Sequence, residues 1–508
     1  MAETGRYVVA ADAVPPDLTV LPGIAGVAEP FDEHHIDVHF DTATLRLAVR
    51  GMGIRRRTGG VNAGWRIDGL PAAAAHADDV VPPDVVPLGR EDEVPPPIAD
   101  RVRAITRGES LVRVARTTEH RTVRRLYGHS GEHVADFIDS SVTGESYAQE
   151  PPCAPRRTWA VVPARHGARE PRGASGLLAT VGAPLTEATS DVERALGNAY
   201  PRRTPATERR GGRNLRVWHV VEAYVAAQTT ELMDADAGVR CDDPDAVHRM
   251  RSAIRRIRSV LGVYGRVLRR PARAALSAEL KWLAGALGGA RDAQVLRDRL
   301  LGPHSSRDEA ADRGLRRLAA RLDQDHAEGY RRTLKAIDSE RYFALLDTLD
   351  NVAILRRRKG LGGKAAAAAM PKLVDRDAAR FRASADSAAR TGAGKRRDAA
   401  LHRVRKNAKR LRHATEPATQ VLGKPAKRLG RSARRIQRIL GDHQDSVLAR
   451  RFLAEIQVDA ETGGAPRPTP TELRIYGELA AEEESAAKSA RRRYRKALRK
   501  LRAQPPLA

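Results

Sequence analysis

HRMRSAIRRIR, residues 248–258, and HRVRKNAKRLR, residues 402–412, are the two stretches on which the reading of this 508-residue chain turns. Each opens with a histidine and carries bases three, seven and ten positions later: Arg251, Arg255 and Arg258 after His248, and Arg405, Lys409 and Arg412 after His402. A helix turns about 100° per residue, so these positions fall at about 0°, −60°, −20° and −80° and share one stripe roughly 15 Å long. Val247, Met250, Ile254, Ile257 and Leu261 fill the adjoining sector, as do Leu401, Val404, Ala408 and Leu411 in the second stretch. Each helix is therefore expected to bury one face and offer a basic ridge beside it. Neither stretch contains Asp or Glu. Like charges one turn apart cost a few tenths of a kcal/mol per pair, so a ridge left uncompensated twice implies that its counter-charge arrives from outside. Guanidinium forks suit phosphate oxygens, and each histidine is read as a further donor that weakens as pH rises; the competing reading is a core histidine.

The two stretches are 154 residues apart, and a second pair repeats at an offset of 153: LKWLAGALGGARDAQVL from Leu280 and ARRIQRILGDHQDSVLA from Ala433. Leu287-Gly288 falls on Leu440-Gly441, Asp292 on Asp445, and Lys281 on Arg434. Two motifs in one order at nearly one offset mark an internal duplication. Lys281 and Arg434 join the anion-binding candidates, as does Arg291, present in the first copy alone. Asp292 and Asp445 follow what read as Leu-Gly turns. They are expected to orient neighbouring arginines rather than to form a metal or catalytic pair.

Charge divides the chain in the same place. Residues 1–210 hold 26 Lys and Arg against 28 Asp and Glu, whereas residues 211–508 hold 64 against 35. The second part alone therefore calls for a polyanionic partner. Up to about residue 160, short β-rich segments (Leu45 to Val49, Ile54 to Arg57, Leu111 to Ala115, Trp159 to Val162) alternate with turns at Gly59-Gly60 and Gly128 to Gly131. One or two helices are expected within 176–196, and residues 198–212 have linker composition. From 213 onward the period is helical, with breaks near 301–306, 359–364 and 461–470. The expected fold class is α+β in two domains: an antiparallel sheet domain over 1–197, a linker over 198–212, then an all-α domain with one copy of the repeat over 213–358 and the second over 359–508. Cys153 and Cys241 are the only cysteines and suggest neither a disulfide framework nor a zinc site. No signal segment or apolar run of membrane length is evident, so a cytoplasmic location without membrane contact is expected.

The repeated His-and-base stretches, the Leu-Gly-x-x-Arg-Asp element and the later Tyr330-Arg331 and Tyr494-Arg495 segments resemble the CHAD domain family. That resemblance spans essentially all of 213–508 and implies two pseudo-symmetric helical bundles with a basic surface that binds inorganic polyphosphate, on polyphosphate granules. The implied ligands are His248, Arg251, Arg255, Arg258, Lys281, Arg291, His402, Arg405, Lys409, Arg412 and Arg434.

The N-terminal part resembles the CYTH domain, a triphosphate-tunnel β-barrel, through His39-Phe40-Asp41-Thr42, Leu45 to Arg57, Gly64-Trp65-Arg66-Ile67, Arg116 to Arg125 and Ser190 to Leu196. The family's opening Glu-x-Glu-x-Lys is not kept: Glu3 is followed by Gly5 and Tyr7 at the next two places. Asp68 stands where the lysine after the Trp motif is expected, Ala160-Val161-Val162-Pro163 where a Glu-x-Glu is expected, and no lysine precedes Lys281. Metal-assisted phosphoryl transfer needs carboxylates for Mg²⁺ and cations for phosphate, so the tunnel is read as degenerate, without catalytic residues. Residual anion binding is expected at Arg55, Arg57 and Arg121. The cluster Glu33, His34, His35, Asp37 and His39 is not read as a metal site, because it falls at an expected loop-to-strand entry. The leading reading is thus a polyphosphate-binding protein with no cofactor. The alternatives are a Mg²⁺- or Mn²⁺-dependent triphosphatase in the N-terminal domain, and nucleic-acid binding. Against the last, aromatic residues are 4% of the chain and neither basic stretch contains one for base stacking.

Overall fold

The computed structural model describes residues 5–60, 62–69, 80–81, 86–148, 152–165, 169–184, 190–201, 215–302, 309–357, 359–462 and 468–508. Most of the expected linker and Glu3 lie outside them. The chain divides into two compact units, Met1–Ala206 and Thr207–Ala508.

The first unit is built on ten strands: β1 (Arg6–Val9), β2 (Gly26–Val27), β3 (Phe31–Asp41), β4 (Gly53–Thr58), β5 (Gly64–Asp68), β6 (Val80–Val81), β7 (Val112–Tyr127), β8 (His133–Ser146), β9 (Cys153–Pro163) and β10 (Ala183–Pro184). They pair antiparallel in the order β10-β1-β9-β8-β7-β3-β4-β5-β6, with β2 added to β7. The outer strands β10 and β6 do not pair with each other among the described residues, so the antiparallel sheet is as expected but the barrel closure is not formed there. Four short helices accompany it: α1 (Arg46–Val49), α2 (Pro96–Thr106), α3 (Ala174–Ala179) and α4 (Asp191–Leu196). Strand alternation sends Val38, Phe40, Ile54, Trp65 and Ile67 into one core under α2, and Phe137, Trp159 and Val161 into another with Leu178. Leu45 to Val49, expected as strand, contains α1 instead. Asp41 accepts from the backbone N–H groups of Leu47 and Ala48 at 2.9 Å each, capping donors that a helix start leaves open.

The second unit is all helix: α5 (Val217–Arg240), α6 (Ala246–Tyr264), α7 (Arg270–Ala286), α8 (Gly288–Leu301), α9 (Glu309–Ile337), α10 (Glu340–Asp350), α11 (Ala366–Arg390), α12 (Lys395–Leu422), α13 (Lys424–Thr462) and α14 (Pro470–Arg502). The first basic stretch lies on α6 and the second on α12. The second motif lies on α7 and α8 in one copy and wholly on α13 in the other. Leu287 separates α7 from α8, but Leu440-Gly441 sits inside α13, so the Leu-Gly turn expected twice exists once. The difference has a packing cause. A Cβ on Gly329 of α9 would meet the backbone N of Ala290 at 2.2 Å, so α9 presses against the start of α8 where Gly288 and Gly289 allow the chain to bend. The copies do not form separate bundles. Leu300, Leu318 and Leu322 of the first share a core with Phe452, Leu453, Tyr476 and Leu479 of the second.

Candidate polyanion site

The amphipathic pattern of α6 buries Met250, Ile254, Ile257 and Leu261 completely or nearly so, and that of α12 buries Leu401, Val404, Ala408 and Leu411. The two helices cross each other. Ser259 and His413, 154 positions apart, share a hydrogen bond of 3.0 Å. On one side of it Arg410 donates to the carbonyl of Gly262 at 2.7 Å; on the other Arg256 lies 3.8 Å from Glu416. Arg256 and Arg410 are equivalent under the repeat, and so are Gly262 and Glu416. The contacts exchange when the copies exchange, which is the signature of a two-fold axis, here running through the Ser259–His413 pair. They also ascend along α6 as they descend along α12, so the helices run antiparallel at the crossing. His248 and His402 consequently lie at opposite ends, each about 16 Å from the axis along its helix.

Arg255 and Lys409 are the equivalent bases flanking this axis, and each feels the other copy. Burial, then Arg251, Arg412 and Arg405, pull Arg255 down to about 10. Burial, then Arg255, Arg405, Arg251 and Arg258, pull the Lys409 ammonium down to about 6. Both causes act against the charged form. His413 is almost wholly buried and is pushed down to about 2 by burial and by Arg412, Arg255 and Lys409, so it stays neutral and is the core histidine of the site. The Nε donors of Arg255 and Arg405 are buried without a hydrogen-bond acceptor. Unsatisfied buried donors are uncommon, and here both belong to the crowded cationic centre.

The remaining candidates arrange themselves around this centre. Arg251 donates to Asp292 and to the carbonyl of Gly288, each at 3.0 Å, so Asp292 orients an arginine as expected. Asp445 is raised by burial and faces Arg405 and Arg299. Arg412 donates to Gln437 at 3.2 Å and lies 3.3 Å from Glu416, while Arg434 is close enough to disfavour its charge. Arg258 is exposed at the rim. Lys281 is exposed on α7, outside the two helices that carry the central cluster. His248 is depressed by burial and by Arg291, His402 by burial and Lys406. His402 Nδ1–H donates to Gln444, the repeat equivalent of Arg291, at 2.8 Å. A pocket of about 430 Å³ adjoins the His248 end, lined in part by Val247, Arg291, Gln294 and Tyr330. Sequence reasoning missed Ser259, His413, Arg256, Arg410 and Glu416. Their only signal was the 154-residue offset, which marks equivalence and says nothing about contact.

In the first unit His35, Asp37 and His39 share the buried face of β3, inside an 11-residue strand and not at a loop entry. Among the described residues no cluster there or elsewhere is fit to hold a metal ion. Arg55 meets Asp37 at 2.9 Å and Asp68 at 3.2 Å, Arg57 donates twice to Asp37 at 2.7 Å, and Arg121 meets Glu119 at 2.8 Å. The three arginines expected to hold an anion are thus engaged by internal carboxylates, and they in turn hold Asp37 and Glu119 below their ordinary range despite burial. His39 is driven down to about 4 by its burial and bonds Thr117 at 3.0 Å.

Fold and site together define a duplicated basic helical module, its copies related by a two-fold axis through their cationic helices. Residues 223–454 match the CHAD domain family, and the helical unit carries that domain. Two uncharacterized proteins of Mycobacterium tuberculosis, from strains CDC 1551 and H37Rv, are each 34% identical to it over 513 residues, covering 95% of this chain and 94% of their own. Among solved structures it is similar to PptA from Streptomyces chartreusis (21% identity, TM-score 0.46, 56% of this chain and all of the other). It is also similar to the CHAD domain from the plant Ricinus communis (24% identity, TM-score 0.46, 58% of this chain and 95% of the other). No helix among the described residues is long and apolar enough to cross a membrane.

Proposed function

We propose that this protein binds inorganic polyphosphate along the α6–α12 surface of its helical unit, at polyphosphate granules in the cytoplasm, and does not turn it over. The observation that carries the reading is the gathering of Arg255, Arg405, Arg251 and Lys409 about the axis, where burial first and then the neighbouring arginines pull Lys409 down to about 6. A folded protein keeps such a cluster at a cost in stability, and a chain of phosphates relieves it. The symmetry of the site supports the choice of polymer. A linear polyphosphate reads the same from either end and meets the two halves equally, whereas a nucleic-acid strand has a direction that a two-fold site cannot follow in both halves. Polyphosphate also needs no stacking platform, and the basic rows supply none.

The direct test is binding of the full chain to inorganic polyphosphate, with single-stranded RNA as competitor at equal phosphate concentration. The parent is expected to bind, RNA to compete poorly, and Arg255→Gln/Arg405→Gln/Lys409→Gln to lose at least tenfold while folding normally. Equal competition by RNA, or a triple variant that binds as the parent does, overturns the reading.

A further inference from the structure

α13 begins with KPAKRLGRSARRIQRIL, and Lys424, Lys427, Arg428, Arg431, Arg434, Arg435 and Arg438 are all exposed. At about 100° per residue they fall within a sector of roughly 120° and run for about 21 Å. Ala426, Leu429, Ala433, Ile436 and Leu440 are buried on the opposite side. No acidic residue interrupts the row before Asp442, which Arg493 of α14 engages at 2.9 Å. A helix that is merely solvated looks different: α14 pairs Arg474 with Glu478 at 2.8 Å and Lys488 with Glu484 at 4.0 Å, one turn apart in each case. The first copy lacks the row. At the offset of 153 the seven positions fall on Pro271, Ala274, Ala275, Ala278, Lys281, Trp282 and Gly285, and α7 carries only Arg270, Arg273 and Lys281 among its bases. The excess of cations is therefore a property of one half of an otherwise two-fold module.

We propose that this face of α13 is a second polyanion row, continuous with the α6–α12 site, which receives the part of a polyphosphate chain that runs past the centre and so gives the protein a preference for long chains. The inference rests on the polyphosphate reading above. Continuity comes from Arg412, which belongs to the central row yet donates to Gln437 of α13 at 3.2 Å, between Arg434 and Arg438. Arg434 is in turn near enough to weaken the charge of Arg412. A chain lying on Arg412, beside Glu416, thus comes within reach of the α13 row. The occupant is argued to be polyphosphate because the row has no aromatic side chain for base stacking, and its cations recur at each turn to match an unbroken line of charge.

The experiment compares the full chain with Lys427→Gln/Arg428→Gln/Arg431→Gln/Arg435→Gln, four surface changes away from the central site. Affinity is measured for a short polyphosphate that cannot extend beyond the α6–α12 surface and for a long one, across a range of salt. Short-chain affinity is expected to be unchanged, which also reports an intact fold. Long-chain affinity is expected to fall at least tenfold, and the slope of log K on log salt to drop by about three, at ~0.7 per lost phosphate contact on a flexible strand. A parent that binds neither chain sinks the polyphosphate reading and this inference with it. A variant that keeps full long-chain affinity, or that loses RNA binding but not long polyphosphate, overturns this inference alone.

Discussion

Lys409 gives the most direct handle on the site, because binding must change its protonation. In the free protein its ammonium is pulled from the ordinary 10.5 to about 6 by burial and four arginines, so at pH 8 roughly one molecule in a hundred carries that charge. A phosphate chain beside it favours the charged form again. Binding therefore takes up close to one proton per site, and affinity falls about tenfold per pH unit wherever free Lys409 is neutral and bound Lys409 is charged. The neighbours set the usable window. His248 and His402, both depressed, add proton uptake at the acidic side, and Arg255, drawn to about 10, adds it at the alkaline side. Between about pH 7.5 and 9 Lys409 dominates, and the dissociation constant should rise by roughly thirtyfold across that interval. Calorimetric titration in buffers of different ionisation enthalpy counts the protons directly. Lys409→Arg cannot lose its charge, so it should bind with little pH dependence in the same window; any uptake by the polymer's own end groups would persist in it. Equal slopes for parent and Lys409→Arg, or no proton uptake by the parent, refute the reasoning.

Three further outcomes follow from the same geometry. Without ligand, the unfolded chain holds more protons on Lys409 than the folded chain between about pH 6 and 10.5, so stability should rise with pH across that window, and polyphosphate should flatten the rise; urea titrations with and without polymer check both signs. Lys409→Met removes an amine that folding forces to give up its proton and should stabilise the ligand-free protein by about 1–2 kcal/mol while weakening polymer binding, separating stability from function in one variant. In the first unit Asp37→Asn leaves Arg55 and Arg57 without their main counter-charge and should cost about 3–5 kcal/mol, seen as a lower melting temperature of the sheet unit that added tripolyphosphate partly restores.

The helical fold and its duplication were legible because they rest on periodicity, which the sequence carries directly. The stripes on α6 and α12 needed only the turn angle of a helix, and their buried partners followed. What periodicity could not say is how two helices 154 residues apart meet. The Ser259–His413 contact, the antiparallel crossing and the exchange of Arg256–Glu416 with Arg410–Gly262 are tertiary facts, and they alone make one site of two ridges. For the same reason Arg55, Arg57 and Arg121 looked available. Asp37, the partner of Arg55 and Arg57, sits on the neighbouring strand β3, and the register that aligns it with Arg57 cannot be read from spacing when turns and bulges set it; Glu119 stands two residues before Arg121 on β7 itself. Leu45 to Val49 read as strand from composition, yet the backbone donors there are taken by Asp41, and capping outweighed a weak β preference.

The pairing of Arg255 with Lys409 at equivalent positions is where the duplication departs from symmetry to advantage. Two arginines flanking the axis would both stay charged at any physiological pH, and the free protein would carry the full repulsion. Two lysines would both release protons and leave the centre with little charge for a ligand to meet. One of each lets the empty site shed a single proton from Lys409 while Arg255 keeps its charge and its unpartnered Nε donor. The charge returns when the phosphates do. The central cations are thus held in a state that is tolerable alone, with Arg251 engaged by Asp292 and Arg412 beside Glu416, and the proposed polymer would supply counter-charge to Arg255 and Lys409.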